Sequence, residues 1–267
     1  MVLELLLAHL TVSNSCFGRL CKTYRVTEIQ ESTFGCFSFA ATDNLDVNMH
    51  MNFDSKIIDN FLSDAEIQTI ESMVMAVKPS ENFNPTPSGE IVKSGDYYVF
   101  DYYDPHFAKV VNILAPKFQE AFGQDLFFEQ IHIFDCVDPY RVHSDVASGW
   151  KKSTEPTVPA WTLIIPLDNY DSHTIVFKEG SIIKEPQEYT KDVPPHENPT
   201  IDAATRQHYF SHIPGNLFDW LTIEDVFKWK KGSMFAAARF KFHTSDNFLA
   251  NGIPGKRALI AWTRVPE

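Results

Sequence analysis

Proline and tryptophan are missing from the start of the chain: none of its 16 prolines precedes Pro79 and none of its 5 tryptophans precedes Trp150. Composition therefore changes near residue 50. Residues 1–50 read as an N-terminal extension, which an upstream start before Met49 or Met51 would explain, with a divergent N-terminal strand or helix as the alternative. Residues 51–267 read as the main domain. Residues 1–10 form a short apolar stretch, yet no basic segment opens it, the first charge being Glu4, and no Ala-x-Ala-like site follows. Cysteine is scarce: Cys16, Cys21 and Cys36 fall in the first fifty residues and only Cys136 in the remainder. That is no disulfide framework for the main domain, and a reducing cytoplasm is the expectation. No apolar run is long enough to cross a bilayer, which takes about 20 residues. Basic charge is also short. A net charge of −12 argues against nucleic acid or an acidic membrane surface as the main partner, because phosphates are bound by Lys and Arg. A local basic pocket for a small anion is still allowed.

What is present is a patterned domain with no internal repeat. Ser63-Asp64-Ala65-Glu66 is a capping box, followed at helical spacing by Ile67, Ile70, Met73, Val74 and Val77. Asp104-Pro105 starts a second helix with the stripe Phe107, Val110, Val111, Leu114 and Phe118, which Pro116 should kink or shorten. Residues 80–89 between them read as a loop and residues 97–100 as a strand. After Gly123 the pattern turns to strands at 126–134, 161–167, 174–177, 233–242 and 257–263. Residues 186–200 form a proline-rich insertion, and 217–230 read as a short helix before the Lys231-Gly232 turn. Two helices followed by many short strands predict a mainly β (α+β) domain, a jelly-roll or cupin-like barrel with helices flanking one face.

Chemistry first surfaces at His143-Ser144-Asp145. In extended backbone, residues i and i+2 point to one side, so an imidazole and a carboxylate stand together. Alone this is a weak signal in a chain with 10 histidines. His243, at the end of the 233–242 run, supplies a third ligand, because strands distant in sequence meet across the pocket of a rolled barrel. Two His and one carboxylate make a facial triad, whose three open positions suit a bidentate 2-oxo acid and dioxygen. Without that company His243 would read as a strand-end histidine bonded to backbone. His208 and His212, four residues apart, compete as a metal site but lack a third ligand and read as surface or packing histidines. A cation for a carboxylate follows at Lys256-Arg257, behind the turn 251–255 and at the mouth of a strand ending near Trp262. Two solvated turn cations would look the same by position alone.

Assembled in order, these pieces resemble the 2-oxoglutarate/Fe(II)-dependent oxygenase superfamily, near its prolyl-hydroxylase-like branch. The resemblance covers roughly residues 54–263. It is carried by Ile57-Ile58-Asp59-Asn60-Phe61-Leu62, by Tyr140-x-x-His143-x-Asp145 and by Trp161 to Leu167. It continues through Thr174-Ile175-Val176-Phe177 and Gly232-Ser233 to His243, then Lys256 and Trp262. It implies a double-stranded β-helix, Fe(II), 2-oxoglutarate and O2 as cofactor and cosubstrates, and ascorbate as a reductant. The reaction it implies is oxidative decarboxylation of 2-oxoglutarate to succinate and CO2, coupled to hydroxylation of a peptide side chain such as proline, or of a small molecule. In that branch the basic anchor stands six residues before a strand tryptophan, which is Lys256 here; Arg257 is the alternative, since a turn beside Gly255 can rotate the register.

Tyr140 is expected to bind the cosubstrate or line the pocket, and the strand hydroxyls of Thr162 and Thr174 to do likewise or to serve only as β-formers. Arg239 shares parity with Lys241 and His243 and is expected beside the metal or substrate, with a strand-edge salt bridge as the other reading. Trp262 is expected on the substrate side. Trp220, Trp229 and Tyr209 form either a lid or a satellite core. Two features depart from the family pattern: Ser172-His173 stands where Gly-Gly is frequent, and the stretch from Phe177 to Gly232 is long. Two other function classes remain: a non-redox jelly-roll binding module for a sugar or peptide, and a cupin-type metalloenzyme that uses no 2-oxo acid.

Overall fold

The computed structural model describes residues 54–85, 90–100, 103–123, 126–146, 157–180, 201–213, 215–219 and 221–266. The chain divides between Thr42 and Asp43. The expected extension 1–50, the insertion 186–200 and Trp220 lie outside the described residues.

Among the described residues, ten strands form two antiparallel sheets. In chain order they are β1 (Lys56–Ile58), β2 (Ser80–Pro85), β3 (Ile91–Phe100), β4 (Phe127–Cys136), β5 (Thr157–Pro166), β6 (His173–Gly180), β7 (Ile223–Lys228), β8 (Met234–Ala238), β9 (Lys241–Ser245) and β10 (Lys256–Pro266). The larger sheet runs β1-β8-β5-β10-β4-β3-β2 and the smaller β7-β6-β9. The longer helices are α1 (Asp64–Val74) and α2 (Phe107–Phe122); α3 (Ala203–Tyr209) and a 3-10 turn (Gly215–Phe218) are short. The architecture is mainly β, and among the described residues no helix is long and apolar enough to cross a membrane.

Both long helices follow from their sequences. At α1 the capping box forms: Ser63 Oγ accepts from the Glu66 backbone N–H (3.3 Å), and Glu66 accepts from the Ser63 N–H (2.7 Å). The helix ends at Val74, so Val77, the last residue of the expected stripe, is half exposed. α2 starts two residues later than its Asp104-Pro105 signal and runs through Pro116 to Gly123, where φ of +68° makes a left-handed cap. Ile67, Ile70, Val110, Leu114 and Phe118 pack against Ile131, Ile133, Leu163, Ile165 and Leu259, the odd-numbered positions of β4, β5 and β10. The strand period of two therefore sends the even-numbered positions to the other face, and that face lines the site.

Three expectations fail locally. Residues 80–85 are a strand paired with β3, not a loop, because the polar run Ser80 to Asn84 sits at a sheet edge where backbone pairing is enough. The helix expected over 217–230 is replaced, among the described residues, by the end of the 3-10 turn and a strand. Ile223–Lys228 is a strand paired with β6, with Ile223 and Val226 packing on one cluster and Phe227 on another. The single strand expected at 233–242 breaks at Arg239-Phe240 into β8 and β9, which belong to different sheets. Gly232 has φ of +72° and a Cβ there would lie 2.3 Å from the Leu62 carbonyl oxygen, so the turn into β8 requires glycine.

Candidate metal centre and anion pocket

His143 and His243 are brought together by their own backbones. His143, outside the named strands, forms an isolated antiparallel bridge with His243 of β9, its N–H donating to the His243 carbonyl (3.0 Å) and the reverse bond measuring 2.9 Å. Their rings stand 4.3 Å apart, centroid to centroid. The Asp145 N–H donates to the Arg239 carbonyl (2.9 Å), which fixes the third member at the break between β8 and β9.

The ligand atoms converge. Nε2 of His143 lies 3.5 Å from Asp145 Oδ1, and Nε2 of His243 lies 3.3 Å from Oδ2. All three ligand atoms fall within 4.8 Å of one another. Each Nδ1 instead meets a backbone carbonyl two residues back, Arg141 for His143 (2.8 Å) and Lys241 for His243 (3.2 Å). A ring that donates from Nδ1 presents a bare lone pair at Nε2. Two lone pairs facing a carboxylate repel it unless a cation lies between them, so the donor set fits a divalent metal. Burial works against ionising Asp145, and positive charge carried at His243 and His143 outweighs it and holds the carboxyl well below its usual range; with both rings neutral, that charge has to come from a bound cation. Thr162 Oγ donates to Asp145 Oδ2 (2.5 Å) and sets the carboxylate's rotation.

A cavity of about 330 Å³ opens beside these groups and is lined from both sheets. Lys256 lines it and is only 4% exposed. Its Nζ donates to Ser172 Oγ (2.9 Å) and lies 4.0 Å from the centre of the Trp229 ring and 4.0 Å from Asp246 Oδ1. Burial pulls its pKa down to about 8, with Cys136 and Asp246 opposing. Arg257, the alternative anchor, faces away: its guanidinium pairs with Asp135 (3.0 Å) and Glu71 (3.6 Å). Strand alternation decides this, because Lys256 already shows β10 periodicity and the turn does not rotate it.

The remaining expected residues divide. Tyr140 lines the cavity with its ring centroid 4.5 Å from that of His143, its carbonyl held by Thr244 Oγ (2.6 Å). Thr174 lines it too and accepts from the Trp229 indole N–H (2.8 Å). Thr162 lines it, and its hydroxyl proton goes to Asp145. Arg239 does not line the cavity. Its Nη2 donates to the Asp145 carbonyl (3.0 Å) and its Nη1 to Glu129 (2.5 Å), so it braces the ligand segment from behind. Trp262 lines the cavity edge-on to His132 (5.1 Å). His208 and His212 join no metal group among the described residues. His212 follows the end of α3, so the two share no helix face, and burial lowers its pKa to about 4. Tyr209 packs on a satellite core, and Trp229 borders the cavity.

Several lining groups escaped sequence reading. Gln130 and His132 sit at even positions of β4, alternating with Ile131 and Ile133, a pattern that marks a polar inner face. His132 Nδ1 and Trp262 Nε1 have no hydrogen-bond partner among the described residues, and burial depresses His132 to about 4, so its ring is neutral. Behind the lining, Asp246 left no signal, being joined to Ser172 only by folding.

No family model matches the chain, and no curated protein matches it. Solved structures do resemble it. An oxidoreductase of the 2OG-Fe(II) oxygenase family from Burkholderia pseudomallei is 13% identical, over 78% of this chain and 84% of that one, with a TM-score of 0.46. HygX from Streptomyces hygroscopicus, solved with nickel and 2-oxoglutarate, is 11% identical over 80% and 83%, with a TM-score of 0.47. A Pseudomonas putida prolyl-4-hydroxylase is 9% identical over 81% and 95%, with a TM-score of 0.42. At such identities no residue role carries over to this chain.

Proposed function

We propose that this chain is an Fe(II)- and 2-oxoglutarate-dependent oxygenase on a double-stranded β-helix, hydroxylating a peptide side chain such as proline or a small molecule. One observation carries the reading: three converging metal-ligand atoms and a buried ammonium, Lys256, border one cavity. A facial triad leaves adjacent positions for a chelating 2-oxo acid, and Lys256 supplies a charge for its distal carboxylate. The balance is one 2-oxoglutarate, one O2 and one C–H bond giving succinate, CO2 and C–OH.

His143 and His243 would hold the metal through Nε2 and Asp145 through a carboxylate oxygen; Fe(II) in that position supplies the redox chemistry with O2. Thr162 keeps Asp145 turned toward it. Tyr140 and Thr174 offer hydroxyls along the path to Lys256, while Phe134, Ile164, Ala258 and Ile260 exclude water from it. The neutral His132 and Trp262 ring nitrogens offer hydrogen bonds to an uncharged part of the substrate. Cytoplasmic location accords with Cys136, a free buried thiol.

The test is direct. Purified protein given Fe(II), ascorbate and 2-oxoglutarate in air should form succinate slowly even without prime substrate. His143→Ala should abolish Fe(II) binding while the fold persists. Ligand binding that survives chelation, or folded protein that binds neither Fe(II) nor 2-oxoglutarate, refutes the proposal in favour of a non-redox module.

A further inference from the structure

The Ser172-His173 pair departs from the glycines frequent in the resembling family, and the structure gives that departure work to do. Ser172 is fully buried and Asp246 is 1% exposed. Asp246 Oδ1 accepts from Ser172 Oγ (2.6 Å), while Oδ2 accepts from the His173 backbone N–H (2.7 Å) and meets His173 Nδ1 (3.0 Å). A serine hydroxyl has one proton. Given to Asp246, it turns the oxygen lone pairs toward the Lys256 ammonium 2.9 Å away. Asp246 itself stops 4.0 Å short of that ammonium. Its negative charge therefore compensates the buried cation without occupying it as a close ion pair would.

We infer that Asp246 and Ser172 are positioning residues for the carboxylate anchor: Asp246 keeps Lys256 charged, and Ser172 acts as a spacer that leaves the ammonium available to a ligand carboxylate. This rests on the reading of the cavity as a 2-oxoglutarate site. A direct Lys256–Asp246 pair would compete with the ligand; a lysine without Asp246 would shed its proton too easily in this setting. Among the described residues the titratable groups facing Lys256 are Asp246 after β9, Cys136 on β4 and His212 beyond α3, while His173 on β6 offers its backbone carbonyl (3.5 Å) and turns its ring to Asp246. Burial raises the Cys136 thiol to about 11 and lowers His212 to about 4, so both are neutral near pH 7. Asp246 is the formal negative charge within reach.

Two measurements test this on full-length wild type, Ser172→Ala and Asp246→Asn. Anaerobic titration of the Fe(II)-loaded protein with 2-oxoglutarate should show about tenfold or greater weakening in Ser172→Ala, with Fe(II) affinity unchanged. NMR titration of the Lys256 side-chain ammonium in metal-free protein should show Asp246→Asn lowering its midpoint by about one pH unit or more. The pH above which 2-oxoglutarate affinity falls should drop by the same amount, a coupling that simple loosening of the fold would not produce. If wild type binds 2-oxoglutarate but both variants bind it equally well and the Lys256 midpoint stays put, the inference is overturned. If wild type does not bind 2-oxoglutarate, the proposed function fails, and the metal-free Lys256 titration still decides the role of Asp246. Should Asp246→Asn not fold, the loss in Ser172→Ala decides alone.

Discussion

Thr162→Val removes one oxygen atom and should weaken metal binding more than its size suggests. The Thr162 side chain is 3% exposed, and its hydroxyl donates at 2.5 Å to Asp145 Oδ2, the oxygen nearer His243. Valine keeps the β-branched shape, so neither packing nor strand preference changes much. What goes is a hydrogen bond to a charged group, which contributes about 1.5–3 kcal/mol where water cannot replace it. Without it Asp145 can rotate, and the oxygen aimed at the metal loses its fixed direction. Groups that orient a metal ligand typically contribute about 10–100-fold in affinity, in line with that energy. Competitive titration with Fe(II) under anaerobic conditions, or with Co(II) as a stable substitute, reads the change. An affinity within twofold of wild type, in a variant that melts normally, would show that Thr162 does not orient the ligand and that the shared-carboxylate geometry is irrelevant to binding.

Lys256→Met should cost about 100-fold in 2-oxoglutarate affinity while sparing Fe(II) affinity, because a desolvated charge-assisted bond is lost. Arg257→Gln, on the opposite face, should leave both affinities within about twofold and change stability by less than about 1 kcal/mol, its ion pairs being partly exposed. Calorimetric titration of the pair separates the two cations. Arg239→Met should destabilise the fold by about 2–3 kcal/mol in chemical denaturation, since the Asp145 carbonyl and Glu129 lose their buried partner. It should also lower metal affinity, and a stability loss without any change in metal binding would confine Arg239 to a structural role.

Much of the fold could be read locally. The α1 capping box, the α2 stripe and the alternation in β4, β5 and β10 all formed, because each is set by near neighbours and by the period of its element. The misses share a cause as well. Residues 80–85 and 223–228 have weak strand character alone, and what makes them strands is the pairing partner offered by β3 and β6. The break at Arg239-Phe240 was hidden because no Gly or Pro interrupts residues 233–242. Only the guanidinium's grip on the Asp145 carbonyl shows why the run changes sheets there.

By itself the sequence determined the metal set His143, Asp145 and His243 as candidates, and placed Lys256 and Arg257 at the mouth of one strand. Residue type and parity suffice for that, because a strand's geometry is the same wherever it lies. Tertiary structure alone decided that Lys256 enters the cavity, that Thr162 serves Asp145, and that Ser172 and Asp246 stand behind the lysine. The Thr162–Asp145 contact spans 17 positions and the two Ser172 contacts span 74 and 84, and no local pattern records them. They depend on where two sheets meet, and burial there turns ordinary polar side chains into groups that must find one another.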